Sequence, residues 1–356
     1  MGKYITNFYI AAVKNRRGVA FSIFRFIASF FSVLYYAAVE VRAFLRDTGI
    51  IGRVKLSCTV ISVGNITAGG TGKTPAVLMI AKALGEKGKK VGVLTRGYGR
   101  TKRSAEPVIV SEDSSPDETG EEPLLILREL PSIPVIVCKN RKKSGKYAIE
   151  KLGVDTLILD DGFQYTALKR DIDIVTIDAL APFSNGRLIP SGLLREPLSG
   201  LARADMFLLT RADQAGPKGV LFLRGALGNI NAGAAMVETV HFPVSLYSLA
   251  GNGEVGTGFL KGKEVALLAS TGNPASFEIT VAGLGAKIEE RIYFPDHYRY
   301  KEKDMADIER RDGIIVTTQK DEVRLKGRLE KKDIFVLGIE MRITKGKEEW
   351  EKIMRG

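Results

Sequence analysis

Leu56-Ser57-Cys58-Thr59-Val60-Ile61-Ser62-Val63 runs straight into Gly64-Asn65-Ile66-Thr67-Ala68-Gly69-Gly70-Thr71-Gly72-Lys73-Thr74, and Pro75 follows. The opening run is apolar and β-branched, as a buried strand is. A glycine-rich loop that ends in Gly-Lys-Thr between a strand and a helix is the setting of a phosphate-binding loop. Glycines let backbone N–H groups turn inward, and the helix N-terminus adds partial positive charge. Lys73 is then expected to reach the β- and γ-phosphates of a nucleotide, and the Thr74 hydroxyl to ligate Mg²⁺. Thr67, Gly69, Gly70, Thr71 and Gly72 complete the cradle, and Pro75 suits a first helical turn that has no use for its missing N–H. The strict pattern asks for glycine at position 67, where this chain has Thr67.

A second apolar run, Thr156–Leu159, ends in Asp160-Asp161. Ligands of open parallel sheets bind at the carboxyl ends of the strands, so both acids are expected beside the phosphates and Mg²⁺. Around these two runs the chain alternates. Val91–Thr95, Val108–Val110, Val135–Cys138, Ile172–Ile177 and Met206–Thr210 read as strands. Ala76–Lys87, Glu122–Glu129 and Lys142–Leu152 read as helices, the first and last stopping at Gly88 and Gly153. Continuously apolar strands separated by helices predict an α/β fold, a parallel sheet covered on both faces. From Gly216 the pattern loosens. Shorter strands at Val265–Leu268, Ile314–Thr317 and Ile334–Leu337 suggest a second, smaller α/β unit. His241–Gly258 reads as strand–turn–strand around Gly251-Asn252-Gly253. The expected organisation is a helical segment over 1–50, a P-loop domain over 51–240, a β-strand linker over 241–260 and the smaller unit over 261–356.

With 356 residues, the chain is long enough for two packed units and an appendage. Its 53 Lys and Arg against 41 Asp and Glu give a net charge of +12. That excess suits nucleic acid, an anionic membrane surface or phosphorylated small molecules. Two cysteines and two histidines exclude a disulfide framework and a histidine-rich metal centre. From Val19 to Val39 the only charged side chain is Arg25. As a helix that run would reach about 31 Å, close to the thickness of a hydrocarbon core. Ser22, Arg25, Ser29, Ser32, Tyr36 and Glu40 nevertheless recur at steps of three and four, laying a narrow polar stripe along one face. Basic flanks on both sides, Lys14, Arg16 and Arg17 before and Arg42 and Arg46 after, give no orientation. The segment reads as a helix in, or dipping into, the cytoplasmic face of a membrane, with a helix buried on its own domain as the alternative. Met1-Gly2 with Thr6 fits a short N-myristoylation pattern.

Six separated motifs carry a resemblance. They are Val63 through Pro75, Thr95-Arg96-Gly97-Tyr98-Gly99-Arg100, Asp160-Asp161-Gly162-Phe163-Gln164, Leu193-Leu194-Arg195-Glu196-Pro197, Phe294-Pro295-Asp296-His297-Tyr298 and Thr318-Gln319-Lys320-Asp321. In order and spacing the chain resembles the tetraacyldisaccharide 4′-kinases, the lipid A kinases of Gram-negative bacteria, in which Thr67 is normal. The resemblance implies ATP-dependent phosphorylation of the 4′-hydroxyl of tetraacyldisaccharide 1-phosphate, giving lipid IVA, at the cytoplasmic face of the inner membrane. No nucleic acid and no obligate protein partner is implied. A multi-acyl lipid stays in the bilayer, so an apolar helix that brings the kinase there fits.

The family's catalytic acid sits in a Gly-Asp-Glu-Pro motif and works with the histidine matching His297. Here the motif reads Gly120-Glu121-Glu122-Pro123, so Glu121 holds the acid's place with one extra methylene. The expectation is that Glu121 accepts the sugar proton while His297 orients it. Since His297 lies in the smaller unit, the two units would have to close on each other. Gln164 and Glu196 are candidates for outer Mg²⁺ or nucleotide contacts. Arg96, Tyr98 and Arg195 are candidates for the phosphate or headgroup region. The family usually follows Gln164 with histidine, whereas this chain has Tyr165.

Two rival readings stand beside this one. Thr210-Arg211-Ala212-Asp213 faintly resembles a guanine-reading motif, as a GTPase or a switch-type ATPase would carry. A nucleic-acid-binding protein would need basic residues clustered with exposed aromatics. Here Lys87–Lys90, Arg100–Arg103 and Lys139–Lys146 have few aromatics between them.

Overall fold

The computed structural model describes residues 18–355 apart from 103, 252 and 332. Lys14, Arg16, Arg17, the Met1-Gly2 pattern with Thr6, Arg103 and Asn252 lie outside the described residues. Helix α1 spans Val19–Asp47. It is followed by β1 (Thr59–Gly64), α2 (Lys73–Glu86), β2 (Val91–Thr95), β3 (Val108–Ile109), the single turn α3 (Pro116–Thr119), α4 (Glu121–Glu129), β4 (Val135–Val137), α5 (Arg141–Leu152), β5 (Thr156–Asp160), β6 (Ile172–Asp178), β7 (Met206–Thr210) and α6 (Ala212–Ile230). The chain then continues through β8 (Ala235–Ser248), β9 (Glu264–Ala269), α7 (Pro274–Gly283), β10 (Lys287–Tyr293), α8 (Glu302–Glu309), β11 (Ile314–Thr318), α9 (Gln319–Leu325), β12 (Ile334–Lys345) and α10 (Lys347–Arg355).

These strands form one sheet in the order β10-β9-β11-β12-β8-β7-β6-β1-β5-β2-β4-β3. Every pairing is parallel except β8 with β12 and β3 with β4. Strand side chains alternate between faces, and the apolar runs fill both. Ile61, Val63, Ile158, Met206 and Leu208 pack under α2 and α4 on one face. Val60, Leu94, Leu157 and Leu159 meet α5 on the other, beside Val175, Ile177, Phe207 and Leu209 under α6.

The register explains how the halves meet. β8 pairs with β7 only over Ala235–Glu238, then runs on past the carboxyl end of β7. β12 pairs with β11 only over Ile334–Leu337 and runs on past the carboxyl end of that strand. Between those stretches β8 and β12 pair only with each other, as a two-stranded antiparallel ribbon bulged at Gly338/Ile339. Six or seven extended residues span roughly 20 Å. The carboxyl edges of two parallel sheets therefore face one another across a cleft floored by the ribbon.

This differs from a division at 240 and 260. β8 crosses position 240, and its long antiparallel partner is β12; after Ser248 the chain also returns briefly along β8, with the Ser248 N–H on the Gly253 carbonyl, the Val255 N–H on the Leu246 carbonyl and the isolated bridge Tyr247–Glu254. The C-terminal helix α10 returns to the first half, where Trp350 and Met354 join the core around Ile80 and Leu84. The loosened stretch after Gly216 is itself helical, with a kink where Gly216 takes φ 70° ahead of Pro217.

Helix α1 departs from a soluble amphipathic helix. Part of its polar stripe faces inward: Ser32 donates to the Leu188 carbonyl at 2.9 Å and accepts from the Ser191 N–H at 3.0 Å, and Ser29 Oγ lies 3.3 Å from Ser191 Oγ. Tyr35, beside the stripe, donates to the Arg195 carbonyl at 2.6 Å, while Tyr36 is exposed. Its apolar face points away from the protein, with Phe26 81% and Phe30 62% exposed. The buried-helix alternative does not hold.

Candidate active site

The loop between β1 and α2 is braced from below by residues that motif reading does not reach. The Asn65 amide donates to the Thr67 carbonyl at 2.6 Å and to Thr71 Oγ1 at 2.9 Å. Thr71 Oγ1 also meets Thr176 Oγ1 at 2.8 Å, and Thr210 donates to the Thr71 carbonyl at 3.0 Å. Gly72 takes φ 85° at the start of α2, a conformation that suits glycine. A methyl there would meet Thr210, His241 and Met341 at 3.2–3.3 Å. Arg211, only 5% exposed, pairs with Asp178 at 2.8 Å and donates to the Gly70 carbonyl at 2.9 Å. Arg211 is thus committed to the loop, as Thr210 is through the Thr71 carbonyl.

A cavity of about 490 Å³ lies between the halves. Thr67, Gly69, Gly70, Thr71, Gly72, Lys73 and Thr74 line it from the first half, with Arg96, Tyr98, Asp160, Asp161 and Arg195. Thr271, Asn273, Phe277, His297 and Lys320 line it from the second. His241 lines it from the ribbon; burial, with Arg211 nearby, pushes its imidazole down to about 3, so it is neutral. The outer candidates lie apart from this space. Gln164 is spent on Glu196 and on the Asn65 carbonyl at 2.7 Å, and Glu196 pairs with Arg203 at 2.6 Å. Tyr165 lies under the Arg141 guanidinium, 5.1 Å from ring to cation.

The two aspartates after β5 differ in charge. Asp161 sits at φ 51° and is gripped by both Arg195 nitrogens at 2.6 and 3.0 Å, with Lys73 at 3.8 Å. Burial opposes its ionisation, but Lys73 and Arg195 prevail and hold the carboxyl down at about 2. Asp160 accepts from Thr95 Oγ1 at 3.1 Å. Burial first, then the neighbouring Glu122 and Asp161 charges, pushes it up to about 7. A buried carboxylate whose charge Lys73 and Arg141 do not fully offset, lining the cavity with Thr74 and a second carboxylate, is a donor set that fits a hard divalent cation. Among the described residues no group of three or more His, Cys, Asp or Glu is assembled. That suits Mg²⁺, which takes few protein ligands when substrate phosphates share it.

Gly120, at φ 90°, launches α4 so tightly that a methyl there would lie 2.7 Å from the Tyr98 carbonyl. Glu121 follows, and its Oε2 accepts from Arg324 and lies 3.3 Å from His297 Nδ1. Burial opposes its charge; His297 and Arg324 outweigh it and hold the carboxyl at about 2. His297 occupies the left-handed region at φ 56°, the kind of backbone strain that clusters at functional sites. Its ring packs against Tyr98, centroids 5.0 Å apart. Nε2 lies 3.2 Å from Lys320 Nζ. Arg324 and Lys320, both missed as site residues, come from α9, where only the position of Thr318–Asp321 within a motif pointed to them.

A strand–loop–helix phosphate cradle, an acid pair at the neighbouring strand end and a carboxylate–imidazole pair across the cleft define a P-loop phosphotransferase. The chain belongs to the tetraacyldisaccharide-1-P 4′-kinase family, whose model matches residues 24–355. It is 40% identical over 345 residues to the tetraacyldisaccharide 4′-kinase of Syntrophus aciditrophicus, covering 90% of each chain. Over 349 residues it is 36% identical to that of Elusimicrobium minutum, covering 95% of this chain and 93% of the other. A crystal structure of LpxK from Aquifex aeolicus in complex with ATP is similar at TM-score 0.73 and 33% identity, covering 91% of this chain and 96% of that one.

Proposed function

We propose that this protein transfers the γ-phosphate of ATP to the 4′-hydroxyl of tetraacyldisaccharide 1-phosphate, forming lipid IVA at the cytoplasmic face of the inner membrane. Family membership and the likeness to an ATP-bound structure support the reaction class. The observation that carries it to this chain's residues is the Glu121–His297 pair, 3.3 Å apart across the cleft from the phosphate cradle.

Phosphoryl transfer depends on in-line placement and charge neutralisation. Lys73 engages the β- and γ-phosphates from the cradle. Thr74, Asp160 and Asp161 are the residues that would hold Mg²⁺, which supplies charge neutralisation when bound. Arg195 keeps Asp161 ionised and fixed. Arg96 and Tyr98, which line the cavity, meet the headgroup. His297 lines the cavity and Glu121 does not, so the imidazole meets the hydroxyl. Glu121, anchored by Arg324, holds the ring and stabilises the imidazolium that forms, an orienting role like that of a triad carboxylate. Relative to the expectation from the motif, the two members exchange places.

Helix α1 supports membrane attachment. Its outward face is apolar over a span long enough for a bilayer, and the +12 charge favours an anionic leaflet. Incubation with labelled ATP, Mg²⁺ and tetraacyldisaccharide 1-phosphate in mixed micelles is expected to label the lipid, and Lys73→Ala to abolish it. ATP hydrolysis with no label on the lipid would make the chain a switch-type ATPase instead.

A further inference from the structure

Lys320 has no part in the mechanism above, yet its surroundings single it out. It is the second residue of α9, where a cation gains nothing from the exposed N–H groups of a helix start. Residues that break a local rule mark functional positions more often than structural ones. Its ammonium lies 2.8 Å from Asp296 Oδ1, 3.7 Å from Glu122 Oε1 and 3.2 Å from His297 Nε2, and it lines the cavity. An ammonium can only donate, so Nε2 accepts from it and Nδ1 carries the proton that Glu121 receives. The lone pair assigned to the acceptor hydroxyl is thus already occupied, by Lys320.

We infer that Lys320 is a second phosphate-binding cation, offered by the half opposite Lys73, and that its move from His297 to the terminal phosphate of ATP opens Nε2 to the acceptor hydroxyl. The inference rests on His297 as proton acceptor. Charge favours the move: a terminal phosphate attracts an ammonium far more strongly than a neutral imidazole does, most of all in a partly desolvated cleft. The two walls are built alike. Lys73 stands beside Asp161 on one, at 3.8 Å, and Lys320 beside Asp296 on the other. Each carboxylate restrains its ammonium without leaving the cavity. The arrangement ties base release to occupancy of the nucleotide site, so the acceptor is not deprotonated before a donor is present.

Lys320→Met keeps the apolar stem and removes the charge. Calorimetric titration without lipid, with Mg·ATP and Mg·ADP separately, is expected to show ATP affinity about tenfold weaker and ADP affinity within about twofold of wild type. With lipid, kcat should fall at least about tenfold while KM for the lipid holds. Equal loss of affinity for both nucleotides, or loss for neither, overturns the inference. Lys320→Gln carries the same expectation, so a folding defect in one variant, seen by thermal unfolding, leaves the other to decide. His297→Ala separates the underlying reading. If it keeps wild-type kcat, His297 is not the acceptor, whereas the ATP-over-ADP preference, read with no acceptor present, tests Lys320 alone.

Discussion

His297 Nδ1 lies 3.3 Å from Glu121 Oε2, although 176 positions separate the two residues and they reach the cleft from opposite halves of the sheet. The pair exists only while the ribbon of β8 and β12 holds the two carboxyl edges face to face. Its kinetic signature should follow. Glu121→Gln and His297→Ala are each expected to lower kcat by about 10²- to 10⁴-fold with little change in KM for ATP. Glu121→Asp should retain more activity than Glu121→Gln, because a carboxylate one methylene shorter can still charge-pair with Arg324. Near wild-type turnover in Glu121→Gln would remove Glu121 from the mechanism.

Asp160 sets activity against stability. Its carboxyl, pushed up to about 7 by burial, binds a proton in the folded state across a range where the unfolded chain, near 3.9, has released it. Folding stability from this group is therefore present at low pH and lost as pH rises through about 7. Without divalent cation, Asp160→Asn should melt above wild type at pH 8, and the gap should narrow steadily as pH falls from about 7 toward about 4, where the unfolded chain also holds the proton, while Mg·ATP turnover disappears in the variant. Equal melting at pH 8 would mean that the buried charge is already compensated.

What the sequence disclosed follows from where each element gets its stability. β1, β2, β5, β6 and β7 are buried on both faces, so their apolar runs were legible. β10, Lys287–Tyr293, is an edge strand carrying Glu289, Glu290 and Arg291, and its polarity hid it. α6 was hidden by Gly216-Pro217, where Gly216 leaves helical geometry and joins two helical stretches across a kink. The phosphate cradle, Asp160 and Asp161 were legible because local backbone geometry dictates those residue types. Arg324, Lys320 and His241 reach the site through long-range pairing of strands, which leaves no local pattern. Ser29 and Ser32 of the polar stripe on α1 do meet the protein, but the stripe also took in Tyr36, which is exposed, and passed over Tyr35, which is not.

That stripe gives the next test. Phe26 and Phe30 point outward and touch little of the protein, so Phe26→Glu with Phe30→Glu should leave the melting temperature unchanged. Each phenyl ring transferred into lipid contributes about 1.5–3 kcal/mol. Losing both should weaken binding to anionic vesicles by about 100-fold or more in flotation assays. If binding survives, attachment does not run through this face.

Trp350, the only tryptophan of the chain, decides whether the C-terminus belongs to the first half. It is 4% exposed and packs with Met354 into the core that contains Ile80, Ala81 and Leu84 of α2. Lys87 adds contacts to Glu351 at 3.1 Å and to the Met354 carbonyl at 3.5 Å. α2 begins with Lys73 and Thr74, so the last helix of the chain steadies the helix that carries the phosphate site. Trp350→Ala should cost about 3–5 kcal/mol in urea unfolding followed by circular dichroism. Deletion of 347–356 should abolish ATP binding, although none of the described residues among them lines the cavity. ATP binding intact after the deletion would be the opposite result, showing that α2 presents Lys73 and Thr74 without support from α10.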